Sequence, residues 1–557
     1  MATHHRSYNY QASMPFAREP LKTIYVGQRL LTTILMVPFW VLYYAILPRS
    51  YRPRPSWSLK QIVAVNFMRR IYKVTERAGV TWGTRDPDAL CDNATLKETR
   101  FEWVDPLPEE LRTGIVVDQQ VPFKRVGSFV WPKQKPAEIP DCSPPGDSNT
   151  SDIVLLDRSD IEADAGRVPI IGIFLHGGGY CHMSAHETSG PSRIPRRLMQ
   201  DKAFTEIHAV EYRLLQHAPF PAAVQDAAAV YAHIVRRHQR KPSSTKSASS
   251  NGSNSVSNDL DKNTEMSEKQ DFLTVDFDPA AAKNRKDNKD IRDRVAQAAR
   301  LKGCKIFLIG DSAGGNLVLA LARWIRDEGI LPAPDGLLLL SPSCDPAHAF
   351  PESPSSYVPR PHASTDYLVD TPEPRALLQR TFLGHNPLET MHSPYVSPAS
   401  MRVLRAFFGD AFAESVEDLT IRQLDAAEID RLRTMASAPS TPIAETPSWS
   451  RSPTPALDGA PLERSPTSLA RPIIASPRGL SLFTDFPRAC IVLGDAERLE
   501  REVMKLVGAM ERDGVDVRTV WVEDGVHDVL QMAWWDERVR DRVWASIEEW
   551  VREVGEN

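Results

Sequence analysis

The sequence predicts an α/β fold, with a mostly parallel central sheet covered by helices on both faces. Two observations predict it. From residue 169 onward, short unbroken apolar runs alternate with longer amphipathic ones, and uninterrupted apolar runs mark strands buried on both faces. Within that alternation, residues 306–321 (IFLIGDSAGGNLVLAL) read as a buried strand, a tight glycine turn and an apolar helix in direct succession. The 557 residues are 42% hydrophobic and 25% charged, a globular balance with material for more than one core.

Near the amino terminus, residues 30–47 (LLTTILMVPFWVLYYAIL) carry no charge. As a helix they would reach about 27 Å, close to the roughly 30 Å thickness of a bilayer's hydrocarbon. Trp40, Tyr43 and Tyr44 suit a membrane interface. The run closes on Leu47-Pro48-Arg49 rather than on small residues, which argues against a cleaved signal peptide. Residues 1–56 are therefore expected to form a region with a membrane-anchor helix. Residues 57–120 are expected to be a helical segment contributing a cap over the entrance of the main domain, and 121–557 to be that domain. Its strands are expected at 121–131, as an antiparallel sheet edge, and at 170–175, 208–212, 306–309, 337–340, 489–493 and 515–522. Helices are expected near 193–202, 221–237, from 315, and over 535–554. Two stretches, 241–278 (rich in Ser and Asn) and 436–478 (rich in Pro, Ser and Thr), read as disordered inserts. The charged stretch 279–301 reads as helical. Ser452, Ser465 and Ser476 each precede proline, the form of proline-directed phosphorylation sites.

The chemistry gathers around Gly310-Asp311-Ser312-Ala313-Gly314, a G-x-S-x-G pentapeptide between an apolar strand and an apolar helix. The same residues could be a glycine turn with an N-capping serine; a phosphate cradle lacks the G-x-x-x-x-G-K-[ST] pattern that would support it. A serine hydroxyl is a weak nucleophile. It needs a base, an acid to orient that base, and donors for the oxyanion that forms. Donors are offered by His176-Gly177-Gly178-Gly179-Tyr180 after the strand at 170–175, where consecutive glycines leave N–H groups uncovered, and by the N–H of Ala313. His527, in a loop after the strand at 515–522, is the natural base. His182 and His186 lie close to the glycine loop, and His176 reads as shaping that loop. The acid comes from the loop after the strand at 489–493, where Glu497 and Asp495 are rivals. Six cysteines without C-x-x-C spacing indicate neither a zinc site nor a disulfide scaffold. No cofactor is expected, and a net charge of -5 gives no reason to expect nucleic acid as a partner.

HGGGY at 176–180 together with GDSAGG at 310–315 resembles the hormone-sensitive lipase family of α/β-hydrolases, which includes arylacetamide deacetylases and steryl acetyl hydrolases. Tyr212-Arg213-Leu214, Pro219-Phe220-Pro221-Ala222-Ala223 and Asp226 resemble a further segment of that family, as do Leu339-Leu340-Ser341-Pro342 and residues 393–398 (SPYVSP). The family's D-P-L-x-D-E motif aligns through Leu499 and Glu502, putting Glu497 at the acid position, with Glu in place of Asp and Arg501 in place of the second Asp. The resemblance implies an α/β-hydrolase fold with an N-terminal helical cap. It also implies hydrolysis of a carboxylic ester by Ser312, His527 and Glu497, with Gly177, Gly178, Gly179 and Ala313 as the oxyanion hole.

With the apolar N-terminal run, the expected setting is a single-pass membrane protein acting on a small lipophilic ester, the endoplasmic reticulum being one candidate membrane. Basic residues flank the run on both sides, and the sequons at Asn93 and Asn149 would be used only on a lumenal domain, so the side is left open. A ligand-binding relative without turnover, like the plant gibberellin receptor, is the alternative, and a membrane-tethered scaffold is another. The presence of serine, acid and histidine together favours the enzyme.

Overall fold

The computed structural model describes residues 14–134, 168–238, 303–351, 358–421 and 479–556. Both expected inserts, the 279–301 stretch, the sequon at Asn149 and the three Ser-Pro sites lie outside these residues.

The described strands form one sheet in the order β1-β2-β4-β3-β5-β6-β7-β8. They are β1 (Arg100–Val104), β2 (Val126–Trp131), β3 (Ile170–Leu175), β4 (Glu206–Glu211), β5 (Lys305–Asp311), β6 (Gly336–Leu340), β7 (Arg488–Gly494) and β8 (Val517–Val522). From β4 to β8 every pairing is parallel, while β2 runs antiparallel to both β1 and β4. Two expectations are corrected here. Residues 57–120 are not all helical, because Arg100–Val104 is a strand: Phe101 and Trp103 alternate with charged residues, a pattern that fits a pleated edge. Consequently β2 is not the sheet edge, since β1 covers it.

The helices are α1 (Leu21–Ile46), α2 (Leu59–Ala78), α3 (Arg193–Gln200), α4 (Ala222–Arg237), α5 (Ala313–Glu328), α6 (Pro372–Leu383), α7 (Met401–Phe408), α8 (Asp410–Ile421), α9 (Glu500–Arg512) and α10 (Glu537–Glu556). Side-chain alternation along the strands feeds two cores. Ile171, Ile173, Ile306, Leu308, Leu337 and Leu339 pack against α4, α5 and α9. Phe174, Phe307, Ile309 and Leu338 face the other way, where α10 adds Trp544, Ile547 and Trp550, and α2 adds Ile62 and Val65. Both faces are buried, which is why the strands read as continuous apolar runs.

At the amino end, α1 extends nine residues further back than the uncharged run and stops at Ile46, where Pro48 pushes Leu47 into an extended conformation. It is the one helix among the described residues long and apolar enough to cross a membrane. Thr33 is its only buried residue. After a turn, α2 begins in a Ser58/Gln61 capping box and runs back along α1. The described chain breaks off at His238 and resumes at Gly303, whose N–H donates to the His238 carbonyl at 2.8 Å. This junction lies before β5, at the amino ends of the parallel strands.

Candidate active site

In this sheet β3 is flanked by β4 on one side and β5 on the other, so successive connections leave in opposite directions. Such a switch point opens a crevice beyond the carboxyl ends of the strands. Both sequence motifs fall there, HGGGY after β3 and GDSAGG after β5.

Ser312 joins β5 to α5 with φ 50 and ψ -116, a strained conformation for a residue bearing a side chain. The turn holds only because its neighbours are small. A Cβ on Gly314 would stand 1.9 Å from the Leu175 carbonyl oxygen, and one on Gly310 2.4 Å from that of Gly314. The Ser312 hydroxyl makes no capping bond to α5, which removes the N-capping alternative. Instead Ser312 Oγ lies 2.9 Å from His527 Nε2.

His527 is buried and surrounded by carboxylates. Asp528 Oδ2 stands 3.2 Å from the same Nε2, and Asp366, from the segment ahead of α6, accepts the His527 backbone N–H at 3.4 Å. Burial pushes the imidazole's pKa down, but the charges of Asp528, Glu497 and Asp366 outweigh it and push it up to about 9. Glu497 is wholly buried, and burial pushes its carboxyl up to about 8. Its Oε2 accepts the Ser341 hydroxyl at 2.6 Å. Glu497 Oε1 and His527 Nδ1 are both buried and have no hydrogen-bond partner among the described residues. They are complementary groups, an acceptor and a donor. Asp495 points elsewhere: its carboxylate is partly exposed and pairs with Arg54 at 3.7 Å.

The glycine loop divides its donors. Gly177 packs against the buried carboxylate of Asp311, whose Oδ2 a Cβ there would meet at 2.2 Å, and it is not among the residues that line the cavity. The N–H groups of Gly178, Gly179 and Ala313 have no acceptor among the described residues, and all three residues line one cavity with Ser312 and His527. Gly178 has φ 107, accessible to glycine alone among the common residues. His176 shapes this loop: its Nδ1 donates to the Gly177 carbonyl at 2.8 Å, and its ring stacks on Tyr212 at 4.4 Å. His182 is buried in the cavity wall, where its Nδ1 accepts the Trp82 N–H at 3.2 Å; His186 bonds Thr188 instead, at 2.9 Å.

The cavity encloses about 170 Å³. Its roof comes from Tyr72, Thr75 and Glu76 of α2 and from Leu378 and Phe382 of α6. Glu76 accepts the Thr371 hydroxyl at 2.6 Å, fastening the two helices together. The contribution of α6 and the role of Asp366 went unread in the sequence. Asp366 accepts backbone N–H groups from Tyr367, Arg498 and His527, so one buried carboxylate ties together the loops that carry Glu497 and His527. No local pattern marks it.

These features define a class. Residues 172–408 match the model of a family described as alpha/beta hydrolase fold, and the chain has the α/β-hydrolase fold, with its eight-stranded, mostly parallel sheet. Within that class it resembles the hormone-sensitive lipase family through the motifs at 176–180 and 310–315. The match includes the glycine loop and Ser312 and ends before Glu497 and His527. No curated protein matches the chain. Among solved structures, it is similar to a hormone-sensitive lipase from a metagenome library (17% identity over 70% of this chain and 78% of that one, TM-score 0.37). It is also similar to an esterase of Pyrobaculum calidifontis (15%, 83% and 87%, TM-score 0.38) and to an esterase/lipase from an uncultured bacterium (15%, 93% and 99%, TM-score 0.38).

Proposed function

We propose that this protein is a membrane-associated carboxylic ester hydrolase acting on lipophilic esters. The observation that carries the reading is the 2.9 Å contact between Ser312 Oγ and His527 Nε2, on a cavity also lined by Gly178, Gly179 and Ala313. Ser312 attacks the ester carbonyl while His527 takes its proton. The N–H groups of Gly178, Gly179 and Ala313 hold the tetrahedral oxyanion, and His527 returns the proton to the leaving alcohol. Water, activated by the same histidine, then releases the acyl group from Ser312. Glu497 fixes the imidazole tautomer through Nδ1, and Asp366 keeps the two loops in register.

The cavity volume resembles that of a site holding one benzene ring, which favours a short acyl group with the alcohol lying outside. The exposed apolar residues of α1, Leu31 and Phe39 among them, support attachment to a membrane, where a lipophilic alcohol portion would be met.

The test is hydrolysis of p-nitrophenyl acetate, butyrate and palmitate by the wild type and Ser312→Ala. The short esters should turn over fastest, and the variant should lose roughly a thousand-fold or more in kcat. Equal rates in the two proteins would end the proposal.

A further inference from the structure

We propose that α1 lies in the plane of the membrane, sunk into a single leaflet, rather than crossing the bilayer. The proposal rests on the membrane attachment put forward above and concerns its geometry.

Hydropathy treats the helix as an isolated rod, yet α1 is fastened along its flank to α2. Arg70 reaches back to α1, donating to the hydroxyls of Thr33 at 3.1 Å and Thr32 at 3.2 Å, while Arg29 donates to the Arg70 carbonyl at 3.4 Å. At the other end Arg52 donates to the Tyr44 carbonyl at 2.9 Å, and Val41 shares an apolar groove with Leu59, Val63 and Phe67 of α2. The early part of one helix thus meets the late part of the other, an antiparallel pair. If α1 stood across a bilayer, α2 would be drawn into the hydrocarbon beside it, with Lys60, Arg69, Arg70 and Lys73, and charges there are costly. The obstruction continues further. Arg69 donates to the carbonyls of Asp366 and Ser364, each at 2.8 Å, and Ile62 and Val65 are packed in the core beneath the sheet. Crossing would require either that the hydrolase domain follow or that the helix pair come apart.

An in-plane placement asks for neither. The outward side of α1 carries Leu31, Ile34, Leu35, Phe39, Leu42 and Ile46, each more than half exposed, at the three- and four-residue spacing of one helix face. Thr32, Thr33 and Arg29 are turned towards α2. Exposed Arg49 and Lys60 stand at the end of the pair, suited to anionic headgroups at the rim of an interfacial helix. The segment leading into α1 also reaches the catalytic cavity: Met14 and Ala17 pack with Cys181 and Leu378, which line it. A leaflet covering the outward face would therefore lie beside the wall of the reaction chamber.

The experiment uses full-length protein with different epitope tags at its two termini, expressed in sealed membrane vesicles and treated with protease. In-plane binding predicts that the protein pellets with the vesicles and that both tags share one fate, cleaved together or protected together. One tag cleaved and the other protected would overturn the proposal while leaving membrane attachment intact. Wild-type protein that does not pellet would overturn both. A triple variant, Leu31→Glu with Leu35→Glu and Leu42→Glu, should move to the soluble fraction while hydrolysing p-nitrophenyl acetate at the wild-type rate. If it stays on the vesicles the proposal fails. If wild type is a soluble dimer that the triple variant turns into monomers, the face belongs to a second copy and the proposal fails as well.

Discussion

The carboxylate of Asp528, on the substrate side of the histidine, should set the pH at which this protein works. Its Oδ2 stands 3.2 Å from His527 Nε2, the nitrogen that must be unprotonated to take a proton from Ser312. Two unit charges at that distance attract by about 5 kcal/mol at an effective dielectric constant of roughly 20, a ceiling of nearly 4 pH units. Burial opposes this, and Asp311, pushed well above the usual carboxylate range by burial and by Asp528 itself, draws on the same carboxylate. Glu497 and Asp366 would still hold the imidazolium after Asp528→Asn. We therefore expect a fall of about one to two pH units from a group now pushed up to about 9. The sign is fixed: a lost negative charge favours neutral imidazole, so the acidic limb of kcat/KM moves to lower pH. At pH 7 the neutral fraction, and with it kcat/KM on a short ester, should rise roughly ten- to fifty-fold. The assay is a pH profile of p-nitrophenyl butyrate hydrolysis between pH 5 and 10, in wild type and variant. An acidic limb that does not move, or that moves upward, would refute the reasoning.

Other outcomes follow from the same geometry. Glu497→Gln should lower kcat by roughly 10³–10⁴, because it removes the charge that stabilises the imidazolium and puts beside Nδ1 an amide that can donate and so favour the wrong tautomer, whereas Asp495→Asn, which weakens a partly exposed pair with Arg54, should stay within about two-fold; a p-nitrophenyl ester assay on both variants checks the pair. Asp226 accepts from the Arg213 backbone N–H at 2.8 Å and from its buried guanidinium at 2.8 Å, so Asp226→Ala leaves a buried charge unpaired. It should cost about 3–5 kcal/mol, read as a lower urea midpoint at an unchanged slope.

The parallel half of the sheet was legible because strands buried on both faces have no polar alternation to interrupt them; β3, β5 and β6 each stand out as a single apolar word. The first strand was hidden for the opposite reason. Arg100, Glu102 and the polar residues around them give β1 the look of a surface segment, and only its pairing with β2 makes it a strand. The serine and the histidine announce themselves by neighbours in sequence. Asp366 cannot, because its work is to join Arg498 and His527, residues more than a hundred positions away. Which of three adjacent glycines line the cavity likewise depends on how the loop folds back, and Gly178 and Gly179 do. Hydropathy read α1 correctly as an apolar helix and said nothing of α2 beside it, since a window average contains no partners.

The meeting of His238 and Gly303 at 2.8 Å gives the chain a natural splice point. The described residues on either side of 239–302 are already clasped, at the amino ends of the parallel strands and opposite the end that carries Ser312. A few glycines are long enough to join His238 to Gly303, and a fluorescent reporter could be carried at the same joint. The same joint therefore offers a place to trim the protein for crystallisation or to label it for following its place in the cell, at the end of the strands opposite the catalytic crevice.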